Sequence, residues 1–214
     1  MKKLNEYKTF IFDLDNTLYD YSYCDKFAYD AVANWMTSRY DMSHEDAIEI
    51  IGIGKLCTKS LIDKRKSSSH CRFIYFQKTA ELLHSDKIID DTIEMYNIYS
   101  EAFYSAMKPY DWVIDFFKSH DCCICTNMIA EVQFTKLVRL GISEYVKHIV
   151  TSEEADAEKP NYPIYVLLIS KLRGNKISID ECLFVGDNKE HDVDMPRKFG
   201  YDSMHVDQFV KELK

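Results

Sequence analysis

Acidic and polar residues of this 214-residue chain stand at the ends of apolar runs, and their types suit phosphoryl chemistry. The first run closes with Phe12-Asp13-Leu14-Asp15-Asn16-Thr17. Side chains two apart at a strand end point the same way, so Asp13 and Asp15 can face one site. Two neighbouring carboxylates repel unless a cation binds them or one takes a proton. A nucleophilic carboxylate beside a proton-transferring one uses that arrangement directly, and a capping or turn motif is the plainer alternative. A second run ends in Thr126-Asn127, a hydroxyl and an amide that can donate to a phosphate oxygen or cap a helix. Lys159 is the lone cation of the acidic stretch from Glu153 to Pro160. A last run ends in Gly186-Asp187, with Asp192 five residues on. Gly186 permits close backbone approach, and hard oxygen ligands are what Mg²⁺ takes.

The elements that must carry these residues are legible in the same runs. Tyr7–Phe12, Asp121–Thr126, Lys147–Thr151 and Glu181–Gly186 read as strands, with a weaker one over Ser203–Val206. Their nearly continuous apolar character suits a parallel sheet covered on both faces. Helical stripes lie between them: Asp111 to His120; Ile129, Val132, Leu137, Val138 and Leu140, with Gly141 as the cap; and Tyr165, Leu168, Ile169 and Leu172. Alternating strand and helix implies an α/β fold with a doubly wound parallel sheet. In such sheets ligands gather outside the carboxyl ends of the strands, where all four polar groups fall. From about residue 19 to 107 the rhythm breaks into helical stripes, such as Phe27, Val32, Trp35 and Met36, then Phe73, Phe76, Ala80 and Leu83. This segment reads as a helical insertion after the first strand, with Gly52-Ile53-Gly54-Lys55 as a turn between two of its helices.

Bulk composition narrows the function. Hydrophobic residues make up 46% and charged residues 29%, a globular balance. A formal net charge of -8 argues against a nucleic-acid partner. No stretch approaches the ~20 apolar residues of a membrane span, and no apolar run follows the N-terminal lysines as in a signal peptide. Seven cysteines are an odd count in a chain too large to depend on disulfides, and those at 122, 123 and 125 read as core-packing thiols of a buried strand, with a C-x-x-C metal or redox motif as the alternative, which fits a reducing, cytoplasmic setting.

Together, Asp13-x-Asp15-x-Thr17, Thr126-Asn127, Lys159-Pro160 and Gly186-Asp187 with Asp192 resemble, in order, the four motifs of the haloacid dehalogenase-like hydrolase superfamily. The insertion resembles its C1-type cap. The Phe-Asp-Leu-Asp-Asn-Thr-Leu-Tyr wording is similar to the pyrimidine nucleotidase-like and general phosphatase branches. The resemblance implies a Rossmann-like core over residues 1–18 and 108–214 and a helical cap over 19–107. It implies an Mg²⁺-dependent phosphomonoester hydrolase acting on a small phosphorylated metabolite, a nucleotide or sugar phosphate. Asp13 would be the nucleophile and Asp15 the acid and base. Thr126, Asn127 and Lys159 would bind the phosphoryl group. Asp13, Asp15 (also through its carbonyl), Asp187 and Asp192 would hold the metal, Asp192 directly or from one layer further out. Lys55 and Arg72 are candidate substrate contacts in the cap, against the plainer reading of solvated surface residues. The expected assembly is a monomer or homodimer.

Rival chemistries are weighed on the same residues. A haloacid dehalogenase does not call for Asp15, a phosphonatase would want a cap lysine for a Schiff base, and a cation pump needs membrane spans. A phosphomutase would keep both aspartates and the metal site. A catalytically silent metabolite-binding protein is disfavoured because no candidate catalytic residue is missing.

Overall fold

The computed structural model describes residues 2–63 and 66–213. In chain order its main elements are β1 (Thr9–Phe12), α1 (Tyr21–Tyr40), α2 (His44–Leu61), α3 (Arg72–Leu82), α4 (Ile88–Ala106) and α5 (Val113–Ser119). There follow β2 (Asp121–Thr126), α6 (Ala130–Arg139), β3 (Val146–Thr151), α7 (Tyr162–Gly174) and β4 (Cys182–Gly186). The chain closes with α8 (Met195–Lys198), β5 (Asp202–His205) and α9 (Val206–Glu212). The strands form one sheet of order β3-β2-β1-β4-β5, parallel throughout. This is the α/β doubly wound sheet that the apolar runs imply, with β1 at its centre. The expected last strand ends one residue early because Val206 opens α9, whose first turn is capped by the His205 ring accepting from the Asp207 N–H.

Strand alternation assigns the two faces. Ile11, Cys123, Cys125, Val150 and Phe184 join Ile164, Tyr165, Leu168 and Leu172 of α7 in one buried cluster. Phe10 and Phe12 point the other way, with ring centroids 4.8 Å from Phe116 and 5.4 Å from Phe209, respectively. Both faces of the central strands β1 and β4 are therefore buried, and the acidic groups follow their carboxyl ends. The cysteines are free thiols; those of β2 are fully buried, and burial pushes Cys125 up to about 12, so they pack as small hydrophobes.

By contact density the chain divides into two compact units, Tyr21–Met107 and the remainder. The chain leaves and re-enters the sheet unit side by side: Tyr19 bridges Pro109, and the Tyr110 N–H donates to the Leu18 carbonyl at 3.0 Å. The other unit is made of α1–α4. Its α1 buries Cys24, Ala28, Val32 and Met36, a row of residues four apart. Phe27 and Phe73, counted in the sequence stripes, lie off the buried faces at 44% and 40% exposure.

The turn expected at residues 52–55 is absent, and α2 runs straight through it. Gly54 is buried where α2 meets α3: a Cβ there would lie 2.5 Å from Thr79 Oγ1 and 2.8 Å from the Tyr75 carbonyl oxygen. The glycine marks close helix approach, not a bend. At Gly52 a Cβ meets nothing within 4 Å. The pair makes an internal control. Gly52→Ala is expected to stabilise the protein by roughly 0.5–1 kcal/mol through helix propensity. Gly54→Ala is expected to destabilise it by ~1–3 kcal/mol through overpacking, despite the same propensity gain. Urea unfolding of the two variants measures both signs.

Candidate active site

Asp13 follows the last residue of β1 and continues its ladder by one step, its N–H donating to the Val185 carbonyl at 2.9 Å. That bond places its carboxylate at the carboxyl end of the sheet centre, where it is 7% exposed. Lys159 Nζ, 3% exposed, donates to Asp13 Oδ1 at 2.7 Å and to Asp192 Oδ1 at 2.6 Å. Ligand atoms of Asp13, Asp187 and Asp192 all lie within 4.8 Å of one another, and this is the acidic group of metal-binding type among the described residues. Three chain segments thus bring three carboxylates and one ammonium together.

Each of these side chains is braced by its loop. Asn127 gives its amide to the backbone of Lys159: Oδ1 accepts from the Lys159 N–H at 2.7 Å, and Nδ2 donates to the Lys159 carbonyl at 3.1 Å. The Lys159–Pro160 peptide bond is cis. Asp192 sits in a π-helical turn over Lys189–Asp194, with Oδ2 accepting from the Asn188 N–H at 3.1 Å. The Asn188 side chain accepts from the Glu190 and His191 N–H groups, both at 3.0 Å, and caps that turn. The loop after β2 is tied to the end of β3, since the Met128 N–H donates to Ser152 Oγ at 2.7 Å.

The electrostatics are those of an anionic cavity. Burial is the largest influence on Asp13 and raises its pKa; Lys159 pulls down, and Asp192 and Asp15 push up. Asp187 is raised by burial and then by Asp192. Burial alone would lower the Lys159 ammonium, but Asp13 and Asp192 outweigh it and hold the pKa well above the ordinary lysine range. Three carboxylates against one ammonium leave two uncompensated negative charges, which is the charge a dication neutralises. An octahedral ion with oxygens at about 2.1 Å sets ligand pairs roughly 3–4 Å apart, so this group needs only slight closure to hold one. The residues fit a hard divalent cation.

Other expected site residues are placed differently. The Asp15 carboxylate lies outside the three-carboxylate group. It accepts from Lys136 Nζ at 2.8 Å on each oxygen and from the Tyr19 hydroxyl at 2.6 Å. Thr126 Oγ1 accepts from Gln133 Nε2 at 2.6 Å. Asn127, expected to donate to phosphate, spends its amide on positioning Lys159. Arg72, a candidate substrate contact whose plainer reading is a solvated surface residue, is 9% exposed and pairs within the helical unit with Asp25 Oδ1 at 3.2 Å, Tyr99 Oη at 3.3 Å and the His70 carbonyl at 2.8 Å. Lys55 in the same unit is half-buried, with Nζ 5.7 Å from the centre of the Tyr29 ring.

Lys136 and Gln133 escape a sequence reading that follows apolar residues. The stripe expected on α6 included Val138, which is 64% exposed, whereas Gln133 and Lys136 are 0% and 1% exposed. The available signal is the row Gln133, Lys136, Leu137 and Leu140, spaced three, four and seven apart, with polar residues in core positions.

The sequence and the fold have counterparts in known proteins. The family model described as haloacid dehalogenase-like hydrolase matches residues 7–200. The ribulose-1,5-bisphosphate 5-phosphatase of Halopiger xanaduensis is 29% identical over 203 residues, covering 92% of this chain and 83% of that protein. The glyceraldehyde 3-phosphate phosphatase of Methanothermobacter thermautotrophicus is 28% identical over 164 residues, covering 74% and 68%. In fold, the chain is similar to the 2-haloacid dehalogenase of Pseudomonas syringae, with TM-score 0.71, 18% identity and coverage of 97% and 98%. The HAD phosphatase of Thermococcus onnurineus gives 0.62, 19% identity and coverage of 92% and 84%. The match over nearly the whole sequence and the convergence of the four motif segments lead to one assignment: the chain belongs to the haloacid dehalogenase-like hydrolases.

Proposed function

We propose that this enzyme is an Mg²⁺-dependent phosphatase of a small phosphorylated metabolite, working through a phosphorylated Asp13. The observation that carries the reading is the Asp13 carboxylate held by Lys159 beside Asp187 and Asp192. A lone buried carboxylate would not face a phosphate dianion, but one compensated by an ammonium and a dication can. The curated relatives support a phosphorylated sugar or triose as the substrate class, since those named above act on ribulose 1,5-bisphosphate and glyceraldehyde 3-phosphate. The unit Tyr21–Met107 takes the part of a C1-type cap in this reading, with Lys55 and Arg72 as its candidate substrate-side cations.

Asp13, Asp187 and Asp192 would hold the ion, with the Asp15 carbonyl as a further oxygen. When bound, Mg²⁺ supplies positive charge that offsets repulsion between carboxylate and phosphate and orients the phosphoryl group. An Asp13 oxygen attacks phosphorus, the bond to the leaving oxygen breaks, and Asp15 gives that oxygen its proton. Asp15 then takes a proton from the water that attacks phosphorus, and the Asp13–phosphorus bond breaks to release phosphate. Lys159 balances charge on the phosphoryl oxygens through both steps. Thr126, whose oxygen accepts from Gln133, would turn its hydroxyl proton from the Asn127 carbonyl, 3.4 Å away, to one of them. Asn127 acts by holding the Lys159 backbone.

A panel of triose, pentose and hexose phosphates together with nucleotides, read as free phosphate with and without Mg²⁺, tests the reading. Metal-dependent release abolished by Asp13→Asn supports it. Isomer formation without free phosphate would indicate a mutase instead, and an inert wild type across the panel would indicate a binding role.

Gly186 supplies a second test of the metal site. A Cβ there would meet Asp192 Cγ at 2.3 Å, so Gly186→Ala must push the Asp192 carboxylate out of place. The variant is expected to need about 10–100-fold more Mg²⁺ for half-maximal activity, the range seen when groups supporting metal ligands are disturbed. An unchanged Mg²⁺ titration would remove Asp192 from that site.

A further inference from the structure

The inward face of α6 carries two polar side chains in core positions, and both end on residues of the proposed reaction. Gln133 donates to Thr126 Oγ1 at 2.6 Å and to the Asn127 carbonyl at 2.8 Å. Three residues on, Lys136 sends its ammonium to both oxygens of Asp15 at 2.8 Å. Spacing of three places the two on one face of the helix, so a single rigid element reaches the ends of β1 and β2 at once.

The burial of this ion pair is unequal. The Lys136 side chain is 1% exposed, while that of Asp15 is 24% exposed. An ammonium taken out of water costs several kcal/mol, and its attraction to one carboxylate seldom repays that cost in stability. A buried lysine is therefore poorly explained as a stabilising device. Its geometry is explained by what it grips. With the Tyr19 hydroxyl on Oδ1, Asp15 has three donor contacts that fix the plane of its carboxylate. The same carboxylate must meet first the leaving oxygen and then the attacking water, and misplacement by about 1 Å can cost two orders of magnitude in rate.

We propose that Lys136 is a positioning residue for Asp15, anchoring the proton-transferring carboxylate from α6 so that it serves both half-reactions in one orientation. The inference rests on the phosphatase reading and deepens it. Lys136 touches neither substrate nor phosphorus in this scheme and acts through Asp15 alone. Gln133 on the same face holds the Thr126 end of the phosphoryl site, so α6 registers proton transfer and phosphate binding against each other.

The experiment uses p-nitrophenyl phosphate, whose leaving group departs without a proton, and glycerol phosphate, whose leaving group requires one. In Lys136→Met, rapid mixing with the aryl ester should retain the initial burst of nitrophenolate. The steady rate should fall about tenfold or more, so that acid-quenched phosphoenzyme accumulates, because hydrolysis still needs Asp15 as base. With glycerol phosphate the phosphorylation step itself should slow by a similar factor, with KM within about twofold of wild type. Lys136→Arg keeps the charge but moves it, and serves as the variant that folds if Met does not. It should show the same pattern, more weakly. In an Asp15→Asn background, Lys136→Met should add nothing further, as expected for residues that act as one unit. Equal losses of burst and steady rate in a folded variant, additive losses in the double variant, or unchanged kinetics would each overturn the proposal while leaving the phosphatase reading intact. A wild type that releases phosphate from neither ester nor from any sugar phosphate or nucleotide of the panel would instead overturn that reading and the proposal with it.

Discussion

Three carboxylates, two of them buried, and one buried ammonium meet at the carboxyl end of the sheet's central strands, and the rest of the sheet unit can be understood as what that arrangement requires. Charges of like sign repel strongly when solvent is removed, so such a group is stable only if its geometry is imposed from outside. Lys159 reaches two of the carboxylates at once, at 2.7 and 2.6 Å, and is the internal counter-ion. Its own position is imposed by Asn127, which grips the peptide groups on either side of its Cα. The Asp192 carboxylate is imposed by the turn that follows β4, and Gly186 leaves the space into which it folds back. Each brace is local hydrogen bonding applied to a distant charge.

Those braces work because the sheet beneath them is rigid and dry. Aromatic packing of Phe10 and Phe12 on one face, and of Ile11 and Phe184 with α7 on the other, leaves the strands no freedom to slide. A register slip of one residue would send Asp13 to the opposite face. The apolar core and the polar cluster are thus one design constraint: the core fixes register, and register sets which carboxylates meet.

This division explains what the sequence reveals. Strands buried on both faces are continuous apolar runs, so β1, β2 and β4 stand out, and the polar residues ending them mark the site. Asp13, Lys159, Asp187 and Asp192 can be gathered from residue type and order along the chain alone, because each brings a charge that phosphoryl chemistry uses. Partners are less legible, because a hydrogen bond belongs to three-dimensional neighbours. Asn127 looks like a phosphate donor and its side chain braces Lys159; Arg72 looks like a cap cation, and its pairing with Asp25 inside the helical unit leaves no trace in the sequence. Gly54 carries the same letter whether it makes a turn or admits a neighbouring helix, and here Thr79 and Tyr75 of α3 decide. Lys136 is hidden by the ordinary rule that lysine faces water, which fails where a carboxylate lies within reach of a long side chain from a covered helix face.

Counted together, the carboxylates assigned to the proposed reaction are Asp13, Asp15, Asp187 and Asp192, against the ammonium groups of Lys136 and Lys159. Two negative charges remain, and the protein as a whole adds a formal -8. A phosphate dianion approaching such a surface is repelled until a divalent ion cancels the local excess. In the proposed mechanism the ion therefore does more than polarise the substrate: it makes the site enterable, and it counters the forces that raise the Asp13 pKa, favouring the ionised form that a nucleophile requires. Lys136 and Lys159 divide the remaining work by position. One holds the carboxylate that moves protons, and the other faces the carboxylate that makes the bond. Because each lysine comes from a different loop or helix, the two roles can be disturbed separately, although both lysines reach carboxylates set only two residues apart after β1.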